Sequence, residues 1–424
     1  MARQQSRARA GRPAVIAALI AVSAALTAGP GFAVGTARGA GATSPGPSAV
    51  PAPAQAAAVA PGPSGPPRSL PSTPAASAPT AAAPRAERPA FGAFLGSGAA
   101  GVARVERFSR WLGGADVRVG HTYLPGDAWR NIEGAPDVLD PWARWRRERD
   151  NRMLVLNVPL QERNEEPVSD AQVRLLLRQG ASGQFDQHFR ALAARLVALG
   201  VPDTILVLGW EMNGTTYAHR CGPDPQAWKQ YWNRIVTTMR SVPGQRFRFD
   251  FTPSRGLDAV PWTWCYPGDD TVDIIGMDAY DQPKGLSFAE QVTEPYGLQA
   301  HVDFAKSHNK PISYPEWGLF RNGDDADFMR GMLTWFDTHK PLYNTVTDYC
   351  PHGVWECAAN PVSARIYRYA YFGRTAVTAS SAAPIRPTTT GVLLPTAGCP
   401  PLDLDYWIEY WLGGGPCLAR RTPA

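Results

Sequence analysis

The chain predicts an α/β fold of the (β/α)8 TIM barrel class, on three observations. Eight short apolar runs recur between residues 90 and 373, helical patterns separate most of them, and glutamates sit directly after two of the runs. Alternation of this kind argues for parallel strands joined by crossover helices. The runs lie at 91–95, 117–121, 153–158, 205–210, 247–251, 272–277, 312–315 and 343–347. Among the helical patterns the clearest is the stripe Phe185, Phe189, Leu192, Leu196 and Leu199, whose spacing puts all five on one face toward a core. Asn360 followed by Pro361 reads as the N-cap and first turn of a closing helix. The run 142–149 interleaves Trp142 and Trp145 with Arg144, Arg146, Arg147 and Arg149, which predicts a helix with a solvated basic face and a buried tryptophan edge. Only 253–270, which carries Trp262 and Trp264, lacks a helix signal. In a barrel of this class the active site lies at the C-terminal ends of the strands.

The flanks have a different composition. Arg3, Arg7, Arg9 and Arg12 precede a small and apolar stretch at 14–28, the layout of a secretory signal peptide over 1–33. That stretch is shorter than the roughly 20 residues of a membrane-spanning helix, and nothing later is apolar enough to span. Residues 34–89 are alanine, proline, glycine and serine with almost no large side chain, so they cannot bury enough surface to offset their ordering entropy. They are expected to form a disordered linker or stalk. Residues 374–424 form a low-complexity tail that ends in an aromatic segment with Tyr406, Trp407, Tyr410 and Trp411. The expectation is a secreted, monomeric protein, extracellular or held in the cell envelope, with no integral span beyond the signal segment.

Charge and cysteine usage narrow the classes further. The net charge is +5, but residues 1–88 hold eight arginines and a single acid, so the rest of the chain is slightly acidic. A nucleic-acid footprint is therefore absent from the folded part. Six cysteines in a secreted chain point to disulfides. Their placement pairs Cys221 with Cys265 across two strand-end loops, Cys350 with Cys357 inside one loop, and Cys399 with Cys417 around the tail. No cysteine stands at metal-site spacing with a histidine, so neither a metal nor a cofactor is expected. Gly96, Gly98 and Gly101 make a formal G-x-G-x-x-G, yet the acid that a dinucleotide site needs at the end of the second strand is missing, because Asp116 precedes that strand.

Two glutamates carry the chemistry. Glu211 stands in Gly209-Trp210-Glu211-Met212-Asn213-Gly214 and Glu316 in Ser313-Tyr314-Pro315-Glu316-Trp317-Gly318. An isolated acid at a strand end is more often half of an ion pair, but two of them, on the fourth and seventh strands, point across a barrel mouth at each other. Such a pair is the minimum equipment for cleaving a glycosidic bond with retention, which needs a protonated acid and an ionised carboxylate roughly 5–5.5 Å apart. Trp210 and Tyr217 put aromatic surface beside Glu211, suited to the apolar face of a sugar ring and to desolvating the acid. Tyr280, in Gly276-Met277-Asp278-Ala279-Tyr280, is placed to donate to Glu316 and keep it ionised. Asn213, Asp278 and Trp317 complete the candidate substrate contacts, and His121, at the end of the second strand, is either a further contact or a structural donor.

These motifs resemble glycoside hydrolase family 26. The resemblance runs over about residues 90–373 and rests on the Glu-Met-Asn-Gly context of Glu211, the strand-six Gly-x-Asp-x-Tyr and the strand-seven glutamate. It implies a retaining (β/α)8 hydrolase with Glu211 as acid/base, Glu316 as nucleophile and Tyr280 as the nucleophile's partner. Most members are endo-β-mannanases, and others act on mixed-linkage β-glucan or β-1,3-xylan. In the family a histidine usually precedes the acid/base, a position held here by Trp210. The tryptophan platform further along that loop is matched only by Thr216 and Tyr217. The function expected is cleavage of β-linked polysaccharide, with a non-catalytic polysaccharide-binding barrel at the cell surface as the alternative.

Overall fold

The protein is described by a computed structural model over residues 89–374. The expected signal peptide, the linker before Pro89, the tail after Arg374 and the Cys399–Cys417 bridge lie outside the described residues. In chain order the elements are β1 (Ala90–Phe94), α1 (Gly98–Trp111), β2 (Val119–Tyr123), α2 (Trp129–Ile132), α3 (Pro136–Arg147), β3 (Met153–Val158), α4 (Asp170–Ala181), α5 (Asp186–Ala198), β4 (Ile205–Leu208) and α6 (Pro225–Arg240). There follow β5 (Arg248–Phe251), a 3-10 turn (Trp262–Cys265), β6 (Ile274–Gly276), β7 (Ala279–Tyr280), α7 (Phe288–Thr293), α8 (Leu298–Ser307), β8 (Ile312–Gly318), α9 (Ala326–His339), β9 (Tyr343–Thr347) and α10 (Pro361–Tyr371). All strand pairings are parallel, and the order β6-β5-β4-β3-β2-β1-β9-β8-β7 closes through a β6–β8 pairing. β6 and β7 make up one stave, so the sheet is an eight-stave barrel wrapped by helices, as the sequence predicts.

The strands are apolar on both faces because each face meets a different core. Along β3 and β4, Leu154, Leu156, Leu206 and Leu208 face the helices, while Val155, Ile205 and Val207 fill the lumen with Val119, Ile274 and Tyr343. This two-residue period changes character near the C-terminal end of each strand, where the lumen positions become polar: Asn157 on β3, Glu316 on β8 and Thr345 on β9. The helix stripe behaves as its spacing requires, with Phe185, Phe189, Leu192 and Leu196 buried and Leu199 packed at the edge. α3 buries Trp142 and Trp145 and leaves Arg144 and Arg147 in solvent. Asn360 does precede α10, but its amide donates to the carbonyls of Pro351 (2.7 Å) and Gly353 (2.8 Å) instead of capping the helix.

Among the boundaries that differ from the sequence reading, three shape the site. The second strand sits two residues later than expected, at Val119–Tyr123, which brings Tyr123 to the mouth. β4 ends at Leu208, two residues early, because Gly209 turns to a positive φ of 52°. β8 continues past Pro315 to Gly318. Proline lacks the N–H of a regular ladder, and an irregular register between Tyr314 and Trp317 absorbs it. Glu316 is thereby held inside a strand and not on a loop.

Close packing of α3 against the sheet depends on Gly120 of β2. A Cβ there would lie 2.5 Å from the Trp145 ring and 2.8 Å from that of Trp142. Gly120→Ala is expected to destabilise the barrel by about 1–3 kcal/mol through overpacking, read as a lower midpoint in urea unfolding with unchanged m-value.

Candidate active site

Glu316, 5% exposed, projects into the mouth of the barrel from β8. Burying a carboxylate is costly unless hydrogen bonds replace the lost water. Three donors do so. The Tyr280 hydroxyl donates to Oε2 at 2.7 Å, the Asn157 amide reaches Oε1 at 3.4 Å, and the Tyr123 hydroxyl donates as well. Since the Tyr280 proton is committed to Glu316, the Thr347 hydroxyl at 2.7 Å acts as donor to the Tyr280 oxygen. Burial pushes the Glu316 carboxyl up from its ordinary range, and the three hydrogen bonds pull it back toward the ionised form.

Glu211 reaches the same mouth by a different route. Gly209 and Glu211 both adopt positive φ, 52° and 51°, so the chain leaves β4 through two left-handed residues with Trp210 between them. For a residue with a Cβ this conformation is unfavourable. It is held by the Glu211 N–H bonding to the Thr252 carbonyl at 2.9 Å. Strain of this sort gathers at functional sites. Burial first, then the neighbouring Glu316 carboxylate, pushes the Glu211 carboxyl up to about 8, with Asp258 adding to the rise and a hydrogen bond with the Ser254 side chain opposing it. At neutral pH Glu211 is a protonated acid beside a carboxylate held by three donors.

Around the pair stand most of the other residues singled out in the sequence. Trp210, 3% exposed, is boxed edge-on by Tyr123, Tyr217 and His219 at centroid distances of 5.4, 5.1 and 5.1 Å. Burial first, then both glutamates, pushes the Tyr217 hydroxyl up. Asp278 lies buried, and burial first, then the Glu316, Glu211 and Asp250 carboxyls, pushes its own carboxyl well up, against a hydrogen bond from the Glu316 backbone.

Three of the expected contacts are placed elsewhere. Trp317 alternates with Glu316 along β8 and therefore points outward, packing on Phe336 and Tyr367 with its indole N–H on Asn344. Asn213 is fully buried and its amide is used at both ends, accepting from the Ser254 N–H (2.9 Å) and donating to the Ser254 carbonyl (3.0 Å). His121 sits below the site as a structural donor. Its Nε2 lies 2.9 Å from the Asn157 Oδ1 and so turns the Asn157 amide toward Glu316, and burial pushes it down to about 4, leaving it neutral. Sequence reasoning missed Tyr123, Asn157, Ser254 and the half-buried Tyr349, whose hydroxyl is raised by burial and by both glutamates. The readable signal was a polar residue in an apolar run, as in Met-Leu-Val-Leu-Asn157-Val.

Both disulfides expected within the described residues are present, and each fastens a wall of the mouth. Cys221–Cys265 joins the loop after β4 to the loop after β5, and Cys350–Cys357 closes the loop that begins at Tyr349. Asp116 is engaged with Arg149 and Asn151, away from any dinucleotide-binding role.

Residues 194–316, a stretch that spans Glu211 and ends on Glu316, match the model of Glycosyl hydrolase family 26. The barrel is similar to solved structures of two Bacillus subtilis mannanases, BCman and man26, each at 17% identity over 72% of this chain and 92% of the other, with TM-score 0.51. It is also similar to a GH26 β-mannanase from Bacteroides ovatus, at 16% identity over 68% of this chain and 89% of that one, TM-score 0.51. At these identities what is shared is the fold. No curated protein matches the chain. The family match lies on the part of the barrel that carries both glutamates.

The electrostatic pairing is directly measurable. In side-chain carboxyl NMR of the free protein, Glu211 should titrate near 8. Glu316→Gln removes the negative neighbour, so the Glu211 midpoint should fall. An unchanged midpoint would show that the two carboxyls do not share a site.

Proposed function

We propose that the protein is a secreted retaining glycoside hydrolase that cleaves β-linked polysaccharide, β-mannan or a related β-glycan, by double displacement. The observation that carries this reading is the unequal treatment of two glutamates in one mouth: Glu211 is raised to about 8 with a single side-chain hydrogen bond, whereas Glu316 has three donors. Environments that push two carboxyls apart assign the acid and the nucleophile. In the first step Glu211 gives its proton to the leaving oxygen while a Glu316 oxygen attacks the anomeric carbon, so one C–O bond breaks as another forms. In the second, Glu211 takes a proton from water, the water oxygen bonds to the anomeric carbon and Glu316 departs as carboxylate. Trp210 and Tyr217 wall the sugar ring, and Asp278 receives a hydroxyl. The names of the similar structures make β-mannan the first polymer to try, with mixed-linkage glucan and xylan beside it.

The decisive experiment is hydrolysis of that panel with product analysis. Activity is expected on at least one β-glycan, with retained anomeric configuration in the first-formed product. Glu316→Ala should abolish it, and Glu211→Ala should slow it by about 10²–10⁴-fold. Because the acid must be protonated, kcat/KM should fall as pH rises through about 8. Binding to the polymers without cleavage would instead support the polysaccharide-binding barrel.

A further inference from the structure

The loop after β5 has no place in the reaction scheme above, yet its first residues touch the supports of both glutamates. Ser254 is joined to Asp278 in an isolated parallel bridge. Its backbone is clamped from both sides by the Asn213 amide, and its side chain hydrogen-bonds the Glu211 carboxyl. Arg255, the next residue, points the opposite way. Its backbone N–H donates to the Asp278 carbonyl at 2.9 Å. Its guanidinium, 3% exposed, donates through Nη2 to the Tyr280 carbonyl at 3.1 Å and to the Gln282 carbonyl, and its Nη1 pairs with Glu294 of the loop before α8.

Burying a guanidinium beside an active site is expensive, and a surface ion pair with Glu294 would not need it. What the buried position achieves is that one guanidinium nitrogen, Nη2, holds the carbonyls of Tyr280 and Gln282 on either side of Asp281, at the strand end carrying Tyr280, the donor to Glu316. With Nη1 paired to Glu294 at the same time, the contact needs two nitrogens in a fixed plane, which a single-point lysine ammonium does not supply.

We propose that Ser254 and Arg255 form a positioning brace for the reaction, with Ser254 tuning the acid/base Glu211 and Arg255 acting through Tyr280 on the nucleophile Glu316. One rigid dipeptide thus ties the two halves of the mouth together. The brace rests on the roles given to the glutamates under the proposed function.

The test separates the two arms by pH profile. Removing a donor from a carboxylate raises its pKa. Ser254→Ala should therefore move the alkaline limb of kcat/KM upward and leave the acidic limb in place. Arg255→Lys should move the acidic limb upward, as Tyr280→Phe does, and lower kcat by about ten- to a hundredfold, in keeping with a small misplacement of a reacting group. In the Tyr280→Phe background Arg255→Lys should add little. Multiplying losses in that double variant, or unmoved limbs in both single variants, would reduce the brace to ordinary loop packing. Should Arg255→Lys not fold, Glu294→Gln releases the other arm of the guanidinium at a partly exposed residue. It should shift the acidic limb in the same direction by less, and no shift would overturn the proposal. If the wild type cleaves no glycan, the proposed function fails by itself. The brace is then read from carboxyl NMR, where Ser254→Ala must raise the Glu211 midpoint and Arg255→Lys that of Glu316.

Discussion

The mouth of the barrel is organised around the burial of the Glu316 carboxylate. A charge so placed must find its solvation in fixed donors, and no single strand can supply them. Tyr280 comes from β7 beside it, whereas Tyr123 and Asn157 come from β2 and β3 across the lumen. Such an arrangement exists only if the sheet closes, since an open sheet would leave the far donors out of reach. Barrel closure and nucleophile ionisation are in this sense a single requirement. The second tier follows from the first: His121 orients Asn157, and Thr347 directs the Tyr280 proton.

Against that fixed charge, Glu211 is defined by what it lacks. It sits on a turn with two left-handed residues, faces one carboxylate at close quarters and receives one side-chain hydrogen bond. The same low-polarity surroundings that would penalise its ionised form make its proton available to a leaving group. Donors are thus distributed unevenly between two residues of one type, which is what the proposed acid and nucleophile roles require, with aromatic rings of Trp210, Tyr123 and Tyr217 packed beside them.

The parts of this design that were legible in the sequence are those set by periodicity and by punctuation. Apolar runs alternating with helix stripes revealed the staves, and Trp-Glu-Met-Asn-Gly and Pro-Glu-Trp-Gly marked the two strand ends. The register of β8 was not legible, because Pro315 reads as a strand end until a neighbouring irregularity accommodates it. For the same reason Trp317 was assigned to the sugar site: only the register shows that it alternates with Glu316 and faces the helices. Tyr123 and Ser254 escaped because their significance lies in which distant residue they face, a three-dimensional fact with no local signature, whereas Asn157 carried the weak signal of a polar residue in an apolar run. Asn213 misled in the opposite direction, since a polar residue beside a catalytic acid spends its amide on the neighbouring loop.

The two disulfides sit on loops of the mouth and join no two staves of the barrel wall. The hydrophobic cores that hold the staves together would persist if both bonds were absent, whereas the walls carrying Trp264 and Tyr349 would lose their covalent ties. Reduction of these bonds would therefore act first on the cleft, whose loop walls they tie, and only through those loops on the barrel. For such a chain, solubility is a poor guide to whether a preparation is competent, and the oxidising capacity of the expression host becomes a variable of the assay itself.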